Sequence, residues 1–322
     1  MGSLYLICWV VVIWWIDIGT SRDAAQEKVS KHGKLSVNGL ELVDQSGGAL
    51  QLKGMSMFWS VWMPQYWNQA TVDSISTACH SNIVRAAMAV EYGGYLDDPN
   101  TQLNMVYTVI DAAIRDDIYV IADWHDWYGE NHLQQAKQFF QAVSSKYGNY
   151  PNLIYETYNE PLNLSWSYVL KPYHEQLISV IRANAPDNLI VVGTPWYDQD
   201  LDQVYGDPIT GQKNIMYTLH FYPVDATGWL RDRADNAMRN GLPLFVTEYG
   251  TCSGTGDGPV LPQEAQLWWN WLDEHNMSYV NWALSDKQEN SSALIPGTPP
   301  QLACQEPYLT QSGRLVVAQS MK

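Results

Sequence analysis

Side chains that can carry out or support acid–base chemistry recur along the sequence near the ends of short apolar runs. Carboxyl groups donate protons or act as bases and nucleophiles, and arginine, histidine and amide groups orient them or stabilise charge. Because an unpaired buried charge is costly, this many polar groups are not typical of a hydrophobic core. If the runs are neighbouring strands, their ends form one cleft. The residues are Arg85, His125, Asn159, Glu160, His220, Tyr222, Glu248 and Trp282.

Glu160 and Glu248 are the two acids in this set. One carboxylate at the end of a strand is weak evidence, because it also suits an ion pair or a helix cap. Two glutamates together with an arginine, two histidines and a tyrosine are far more specific. Cleavage of a glycosidic bond needs one carboxyl group as a proton donor and a second as a carboxylate. The pair therefore indicates the chemistry of a glycoside hydrolase.

The spacing of the potential ligands predicts no metal site and no cofactor site. His125 and His220, taken singly, are typical of structural histidines, and no His-Glu-x-x-His or comparable spacing occurs. Asp123 and Asp126 flank His125, and we interpret them as capping or orienting groups outside the site. We therefore expect an enzyme that needs neither a metal nor a cofactor.

Eight strand-like runs alternate with helix-like runs. Several strand-like runs are rich in β-branched and aromatic residues and are bounded by Gly, Pro or Asn. Helix-like runs, in which apolar residues are three or four positions apart, occur around residues 133–143, 173–181 and 263–275. The predicted strands are 52–56, 83–90, 118–123, 153–158, 189–193, 215–221, 244–247 and 279–284.

This alternation predicts an α/β fold that consists of a single (β/α)8 TIM barrel. Active sites of such barrels lie at the C-terminal ends of the strands, where the residues above are found. The rival is a doubly wound open sheet, which usually has a glycine-rich phosphate-binding turn after its first strand, whereas Gly54 stands alone here. Before the barrel, residues 34–37 and 40–43 alternate about Asn38-Gly39, which predicts a short N-terminal β-hairpin.

Composition favours one large domain without a nucleic acid partner. The chain has 322 residues, 46% of them hydrophobic, and no linker or internal repeat is visible. Its formal net charge of −16 at pH 7 repels a phosphate backbone. The 15 Trp and 20 Tyr, against 5 Phe, suit wet grooves that bind sugars or peptides, although core packing is the better explanation for most of them.

The first residues are typical of a secretory signal peptide. An apolar run covers residues 4–16, which is too short to span a bilayer comfortably, and small residues follow at Gly19, Thr20 and Ser21. We predict a signal peptide at 1–21, a catalytic domain at 22–322, and a secreted, extracellular protein with no membrane attachment after cleavage. An uncleaved signal anchor or a buried strand is the alternative interpretation.

Three cysteines remain once Cys8 is removed with the signal. An odd number in a secreted chain allows one internal disulfide and leaves one free thiol. Cys252 and Cys304 follow the last two predicted strands, so their loops leave the barrel side by side, and we expect them to be bridged. Cys79 is then expected to be buried and free in the first helix. Three sequons for N-glycosylation occur, at Asn163, Asn276 and Asn290.

Taken in order, the motifs resemble those of glycoside hydrolase family 5, and specifically its subfamily 2 cellulases. The similarity extends from about Lys34 to Gly313, nearly the whole chain after the signal. Asn159-Glu160-Pro161 alone is a moderately specific match, but seven ordered matches are strong. They are Leu52-Lys-Gly-Met-Ser, Val84-Arg85-Ala, Asp123-Trp-His125-Asp, Tyr155-Glu-Thr-Tyr-Asn159-Glu160-Pro, His220-Phe-Tyr222, Val246-Thr-Glu248-Tyr-Gly-Thr, and Asn281-Trp282 followed by Ser285-Asp-Lys-Gln-Glu289.

The resemblance implies hydrolysis of a β-1,4-glucan, above all cellulose, by a retaining mechanism. Glu160 is the implied acid/base and Glu248 the implied nucleophile, with their carboxyl groups about 5–5.5 Å apart. Asn159 is implied to hydrogen-bond the 2-hydroxyl of the sugar. An open cleft is usual in this subfamily, so we expect endo action.

The resemblance also implies roles for the other matched residues. Arg85 and Tyr222 would keep the nucleophile ionised through charge and hydrogen bonding. His125 and His220 would orient the substrate and the carboxylates. Trp282 would form a stacking floor for one sugar ring.

Further groove residues are expected in loops at the same end of the barrel. Lys287 and Glu289 resemble the pair with which the subfamily binds sugars on the non-reducing side of the cut, and Trp59 and Trp196 are further candidates. Bacterial members often have a histidine soon after Gly-Met-Ser, which this chain lacks. Whether Trp59 or Trp62 contacts glucan or packs the rim is left open.

The same eight residues also suit a mannanase or a xylanase, and an inactive glucan-binding barrel is an alternative from a different class. The loop matches favour β-1,4-glucan, and a binding protein has no need of a poised acid and nucleophile. We therefore expect a monomeric enzyme whose partner is a β-1,4-glucan polysaccharide.

Overall fold

Eight parallel strands close into a barrel in the computed structural model, which describes residues 28–322. The strands follow the chain order around the ring, and the last pairs with the first, so the predicted (β/α)8 TIM barrel is confirmed. A two-stranded hairpin precedes them. The strands are β1 (Ser36–Asn38), β2 (Glu41–Val43), β3 (Lys53–Met57), β4 (Ile83–Ala89), β5 (Tyr119–His125), β6 (Leu153–Glu156), β7 (Ile190–Val192), β8 (Ile215–Phe221), β9 (Leu244–Tyr249) and β10 (Tyr279–Leu284).

Helices follow seven of the eight barrel strands in this part of the chain. Between β7 and β8 the chain forms only the short turns Pro195–Asp198 and Leu201–Gln203, so the predicted alternation lacks one long helix. The longer helices are Gln69–Thr77, Pro99–Arg115, Leu133–Tyr147, Lys171–Arg182, Gly228–Arg239, Pro262–Glu274 and Gln311–Ser320, and a single turn, Val29–His32, precedes β1. Further short turns are Pro64–Tyr66, Gly129–Asn131, Trp166–Leu170 and Pro300–Leu302.

Side-chain alternation along the strands separates an outer core from the barrel interior. In β4, Val84, Ala86 and Met88 belong to the cluster that includes the surrounding helices. Ile83 belongs instead to the cluster at the bottom of the barrel, and Arg85 lies on the same side of the strand, fully buried. Since strand side chains alternate with a period of two, one strand supplies both the packing surface and a charged group of the interior.

The interior changes from apolar to polar along several of the strands. In β5, Tyr119 and Ile121 join the apolar cluster at the bottom, and Asp123 and His125 follow on the same face. Buried apolar residues before the barrel, such as Leu42, complete this floor. The polar groups therefore lie towards the C-terminal ends of the strands, as expected for this fold.

The predicted hairpin is confirmed, with its turn one residue later than expected. Asn38 pairs with Glu41, so Gly39 and Leu40 are the central turn residues. Gly39 has φ 63°, a left-handed conformation that glycine adopts without steric cost.

The predicted disulfide is wrong: Cys79 is bonded to Cys304, and Cys252 is buried and free. The Cα atoms of the bonded pair are 5.1 Å apart. A closed barrel gives β10 two neighbours, β9 and β3, and the chain after β10 crosses to the β3 side. There the hydroxyl of Ser74, in the helix that precedes Cys79, donates to the carbonyl of Pro300 (3.1 Å). The prediction considered only the β9 neighbour.

The predicted signal peptide, 1–21, and the first residues of the predicted catalytic domain lie outside the described residues. Within 28–322, no helix combines the length and the apolar character that a membrane crossing requires.

Candidate active site

A cleft opens at the C-terminal ends of the barrel strands. Eight of the predicted site residues line it. Arg85 and His220 are hydrogen-bonded to lining residues, Glu248 and Glu160 respectively, and Asn159 is hydrogen-bonded to Arg85. Trp196 is outside this lining. The lining consists of Phe58, Trp59, His125, Trp127, Glu160, Tyr222, Glu248, Gly254, Thr255, Gly256, Trp282, Lys287 and Glu289.

Arg85 is the electrostatic centre of the site. Its guanidinium is fully buried and pairs with three carboxylates: Glu156 (2.7 Å from Nε), Glu248 (2.7 Å from Nη1) and Asp123 (2.9 Å from Nη2). Burial opposes the charge, but these carboxylates raise the pKa of Arg85 well above its usual range. A buried, permanently charged arginine therefore holds groups from β5, β6 and β9 together.

Arg85 also fixes the amide of Asn159. Its Nη2 donates to Oδ1 of Asn159 (2.7 Å), so the amide nitrogen of Asn159 is the group left for a ligand. Asn159 is buried, and its backbone N–H donates to the carbonyl of Trp124 in β5.

Glu248 receives a hydrogen bond at each carboxylate oxygen. Arg85 donates to Oε2 (2.7 Å), and the hydroxyl of Tyr222 donates to Oε1 (2.7 Å). Burial and the neighbouring Glu248 raise the pKa of Tyr222 well above its usual range, so Tyr222 stays a donor. Glu248 is therefore held by a cationic donor at one oxygen and a neutral donor at the other.

Glu160 has different surroundings. The indole N–H of Trp127 donates to its Oε2 (3.1 Å), and Oε1 lies 3.2 Å from Nδ1 of His220. Burial raises the pKa of Glu160 to about 7, although the Trp127 hydrogen bond and the charge of Arg85 act in the opposite direction. The side chain of Glu160 is still 16% exposed, which leaves the carboxyl group accessible from the cleft.

A hydrogen-bond chain sets the tautomer of His220. Its Nε2 lies 2.9 Å from Oγ1 of Thr247, whose hydroxyl donates to Glu156 (2.7 Å). The hydroxyl of Thr247 has one proton and donates it to Glu156, so Oγ1 must accept a hydrogen bond from Nε2–H of His220. Burial lowers the pKa of His220 to about 4, so at neutral pH its Nδ1 is an acceptor. The contact between Nδ1 and Glu160 is then satisfied by a protonated Glu160.

His125 and the aromatic residues form one wall of the cleft. Nδ1 of His125 lies 2.7 Å from Oδ2 of Asp123, and burial lowers the pKa of His125 well below its usual range. The ring of Trp282 is parallel to His125, with centroids 5.1 Å apart, and the ring of Trp59 meets His125 edge-on at 4.7 Å. Trp59 itself is nearly covered, whereas Trp62, stacked on it at 4.8 Å, is half-exposed.

Lys287 and Glu289 form an ion pair beside this wall, with Nζ 2.5 Å from Oε2. Ser291 donates to the other oxygen of Glu289 (2.8 Å). The ring of Phe58 lies 5.0 Å from that of Trp282 and 5.3 Å from the ammonium of Lys287. The ring of Phe58 therefore lies near both the indole of Trp282 and the ion pair.

Trp196 occupies the turn after β7, beside the loop that carries Glu160. Trp196 is 55% exposed, and its backbone N–H donates to the carbonyl of Leu162 (3.0 Å). It therefore lies next to the loop that carries Glu160, outside the lining of the cleft.

Glu160, His220 and Glu248 could together hold a cation, because one donor atom of each lies within 4.8 Å of the others. Spacing along the sequence did not indicate this group, since its members come from three distant strand ends. In the structure both oxygens of Glu248 are engaged by Arg85 and Tyr222.

Sequence reasoning missed Glu156 and Asp123 as site residues, and also Thr247, Trp127 and Asp198. The first two had a signal: Glu156 is two residues after Ile154, and Asp123 two after Ile121, on inward faces of their strands. Trp127 and Asp198 lie in loops, where no periodicity indicates the direction of a side chain.

Comparison with known proteins identifies the family of the chain. A family model described as cellulase (glycosyl hydrolase family 5) matches residues 43–288. Endoglucanase Z of Dickeya dadantii is 46% identical over 286 residues, which are 88% of this chain and 65% of that protein. The chain therefore spans about two thirds of that relative.

Two solved structures have the same fold. One from Cytophaga hutchinsonii has a TM-score of 0.89 at 46% identity, covering 91% of this chain and 95% of that one. A variant catalytic domain of a Thermobifida fusca endoglucanase, in complex with cellotetraose, has a TM-score of 0.86 at 29% identity, covering 91% and 99%. With the barrel and its paired glutamates, these likenesses show that the chain belongs to the cellulase family, glycosyl hydrolase family 5.

Proposed function

We propose that the protein is a secreted endo-β-1,4-glucanase that hydrolyses cellulose and related β-1,4-glucans with retention of configuration. Glu160 is the acid/base and Glu248 the nucleophile. The observation that carries the proposal is the contrast between two neighbouring glutamates. An oxygen of one lies within 4.8 Å of an oxygen of the other, yet one faces an acceptor nitrogen and the other an arginine and a tyrosine.

Their separation favours the retaining mechanism. Retaining enzymes have carboxyl groups about 5–5.5 Å apart, whereas inverting enzymes need about 6.5–9.5 Å to admit a water molecule. In the first step Glu248 attacks the anomeric carbon, the bond to the leaving oxygen breaks, and the proton of Glu160 passes to that oxygen. In the second step water attacks the anomeric carbon of the glycosyl-enzyme, Glu160 takes a proton from the water, and the bond to Glu248 breaks so that Glu248 leaves as a carboxylate.

The surrounding residues support these steps. Arg85 and Tyr222 hold Glu248 in place and favour its charged form. The amide nitrogen of Asn159 is positioned to donate to the sugar 2-hydroxyl, a contact that strengthens in the transition state. Trp282 offers an aromatic face to a sugar ring, and Lys287 with Glu289 offers charged hydrogen-bond partners further along the cleft.

The choice of a β-1,4-glucan, and of subfamily 2, rests on the motifs and on the relatives. The relative from Dickeya is named an endoglucanase, and the Thermobifida structure contains cellotetraose. Secretion rests on the apolar run at residues 4–16. Reducing-sugar assays on carboxymethylcellulose, glucomannan and xylan separate a glucanase from a mannanase or a xylanase. No release from any of them would identify an inactive binding barrel.

Azide rescue tests the roles of the two glutamates. Glu160→Ala and Glu248→Ala are each expected to lose most activity on cellulose. With an activated aryl cellobioside, azide replaces the missing nucleophile in Glu248→Ala and gives the α-glycosyl azide. In Glu160→Ala the glycosyl-enzyme still forms, and azide intercepts it to give the β-glycosyl azide.

Proton NMR of the products distinguishes the two anomers. Exchanged anomers would mean that the two roles are reversed. Release of the α-anomer as the first product of the unmodified enzyme would mean inversion, without a covalent intermediate.

A further inference from the structure

Asp198 is a fully buried carboxyl group to which the mechanism above gives no role. It ends the turn Pro195–Asp198, whose residues Trp196, Tyr197 and Asp198 have φ of 54°, 57° and 59°. Left-handed backbone is uncommon for residues other than glycine, because it brings Cβ close to the following carbonyl oxygen. Three in succession persist only where other contacts hold them.

Both oxygens of Asp198 are engaged by donors. Oδ1 accepts the backbone N–H of Thr194 (2.5 Å) and the hydroxyl of Thr218. Oδ2 accepts the backbone N–H of Glu160 (2.9 Å) and lies 3.5 Å from Nδ1 of His220. Asp198 thus contacts the backbone of Glu160 and the histidine that faces the carboxyl group of Glu160.

Glu160 needs such a partner, because its own backbone is left-handed, with φ 52°. Its N–H is satisfied by the side chain of Asp198, and two backbone bonds continue the connection between the two loops. Tyr197 N–H donates to the carbonyl of Pro161 (2.9 Å), and Trp196 N–H donates to that of Leu162 (3.0 Å). Three hydrogen bonds therefore join the turn after β7 to the loop that carries the proton donor.

We propose that Asp198 is a positioning residue that holds Glu160 in the orientation needed to protonate the leaving oxygen. The inference rests on the proposed role of Glu160 as the acid. Its contacts go beyond those of a purely structural group, because they end on the backbone N–H of Glu160 and beside the histidine that faces the Glu160 carboxyl group.

The titratable groups close to Asp198 come from three neighbouring elements. Glu160 belongs to the loop after β6, Glu156 to β6 itself, and His220 to β8. His220 faces the carboxyl group of Glu160, and Glu156 is connected to His220 through the hydroxyl of Thr247. Asp198 bonds to the backbone of Glu160 and not to Arg85 or Tyr222, which hold the nucleophile, so its replacement acts first on the placement of the acid.

The dependence on leaving group tests this inference. A good leaving group such as 2,4-dinitrophenolate departs without protonation, whereas a sugar hydroxyl needs the acid. For Asp198→Ala we expect kcat/KM to fall on the order of 10²-fold with cellotetraose, within the range of general acid catalysis, and by less than about threefold with 2,4-dinitrophenyl cellobioside. Asp198→Asn keeps an acceptor for the Glu160 N–H. We therefore expect its kcat/KM with cellotetraose to be roughly tenfold higher than that of Asp198→Ala.

Asp126→Ala is the matched control. Asp126 is also a buried aspartate in the loop after a barrel strand; it accepts from the backbone N–H of Tyr128 (2.9 Å) and contacts Nδ1 of His132 (2.7 Å), without touching either glutamate. Its variant is expected to change kcat/KM by the same factor for both substrates. Thermal unfolding of each variant establishes that it is folded, and if Asp198→Ala does not fold, the ratio for Asp198→Asn decides.

Equal loss with both substrates, or no loss, would overturn the inference and make Asp198 a structural residue. Glu160→Ala, measured alongside, separates this result from a failure of the proposed function. If Glu160→Ala shows the dependence on leaving group and Asp198→Ala does not, only the positioning role fails. If Glu160→Ala also lacks it, Glu160 is not the acid.

Discussion

Glu160 and Glu248 carry the same side chain, and their surroundings give them different properties. Glu248 receives donors at both oxygens, one of them the guanidinium of Arg85. Glu160 receives a neutral donor, Trp127, and faces an acceptor nitrogen of His220. A carboxyl group loses its proton less readily where charge is poorly solvated and no cation is adjacent. One residue type can therefore supply both the acid and the nucleophile of the proposed reaction.

The pH profile of activity follows from the environment of Glu160. Because burial raises its pKa to about 7, Glu160 holds its proton below that pH and loses it above. We expect kcat/KM on cellotetraose to be maintained below pH 7 and to fall about tenfold per pH unit well above it. With 2,4-dinitrophenyl cellobioside this alkaline limb should be weak, since the leaving group needs no proton. An equally steep limb with both substrates would mean that another group titrates.

The sequence alone could identify those site residues that end a strand or lie on its inward face. Arg85 and His125 were predictable in this way, because the two-residue period places them above Ile83 and Ile121. Glu156 carries the same signal, but it was not recognised, since a single charged residue in an apolar strand does not reveal its partner. Asp198 was not predictable, because its direction depends on a left-handed turn without glycine.

At the scale of elements, the eight strands were predictable because short apolar runs bounded by turn residues are a local signal. The missing helix between β7 and β8 was not, because the turn Pro195–Asp198 is held by contacts with the β6 loop and β8, which are distant in sequence. The predicted pairing of the cysteines was wrong for a related reason. Only the closed ring brings the segment after β10 against the helix that precedes Cys79.

The disulfide should contribute strongly to stability. It joins positions separated by 225 residues, so it removes much of the freedom of the unfolded chain. We expect Cys79→Ala to lower the free energy of unfolding by about 2–5 kcal/mol, measured by urea denaturation without reductant. Dithiothreitol should lower the free energy of unfolding of the unmodified protein to the value of Cys79→Ala. It should not change the free energy of unfolding of Cys79→Ala itself.

Cys252→Ser is the control, since Cys252 is free and its thiol donates to the nearby backbone carbonyls of Ser253 and Gly256, which a serine hydroxyl can also do. Its sensitivity to reductant should equal that of the unmodified protein. A native protein whose stability does not change with dithiothreitol would contradict the assigned pairing.

At the scale of the molecule, the net charge of −16 predicts a salt effect that depends on the substrate. Carboxymethylcellulose is anionic and is repelled, whereas hydroxyethylcellulose is neutral. At an ionic strength of 0.1 M, salt largely screens the repulsion between charges that are more than about 10 Å apart. We therefore expect kcat/KM on carboxymethylcellulose at pH 6 to rise several-fold between about 10 and 200 mM sodium chloride, while the value for hydroxyethylcellulose changes little. Equal responses of the two substrates would show that charge repulsion is not limiting.

The bond between Cys79 and Cys304 also makes a covalent ring of most of the barrel. Seven of its eight strands, β4 to β10, and both proposed catalytic glutamates lie between the two cysteines. A protease that cuts one loop within this segment opens the ring but releases no fragment, because both new ends remain joined to the rest of the chain. In a medium that contains proteases, a single cut would therefore leave both parts of the active site in one covalent molecule. The two parts could then stay associated, or reassociate after local unfolding.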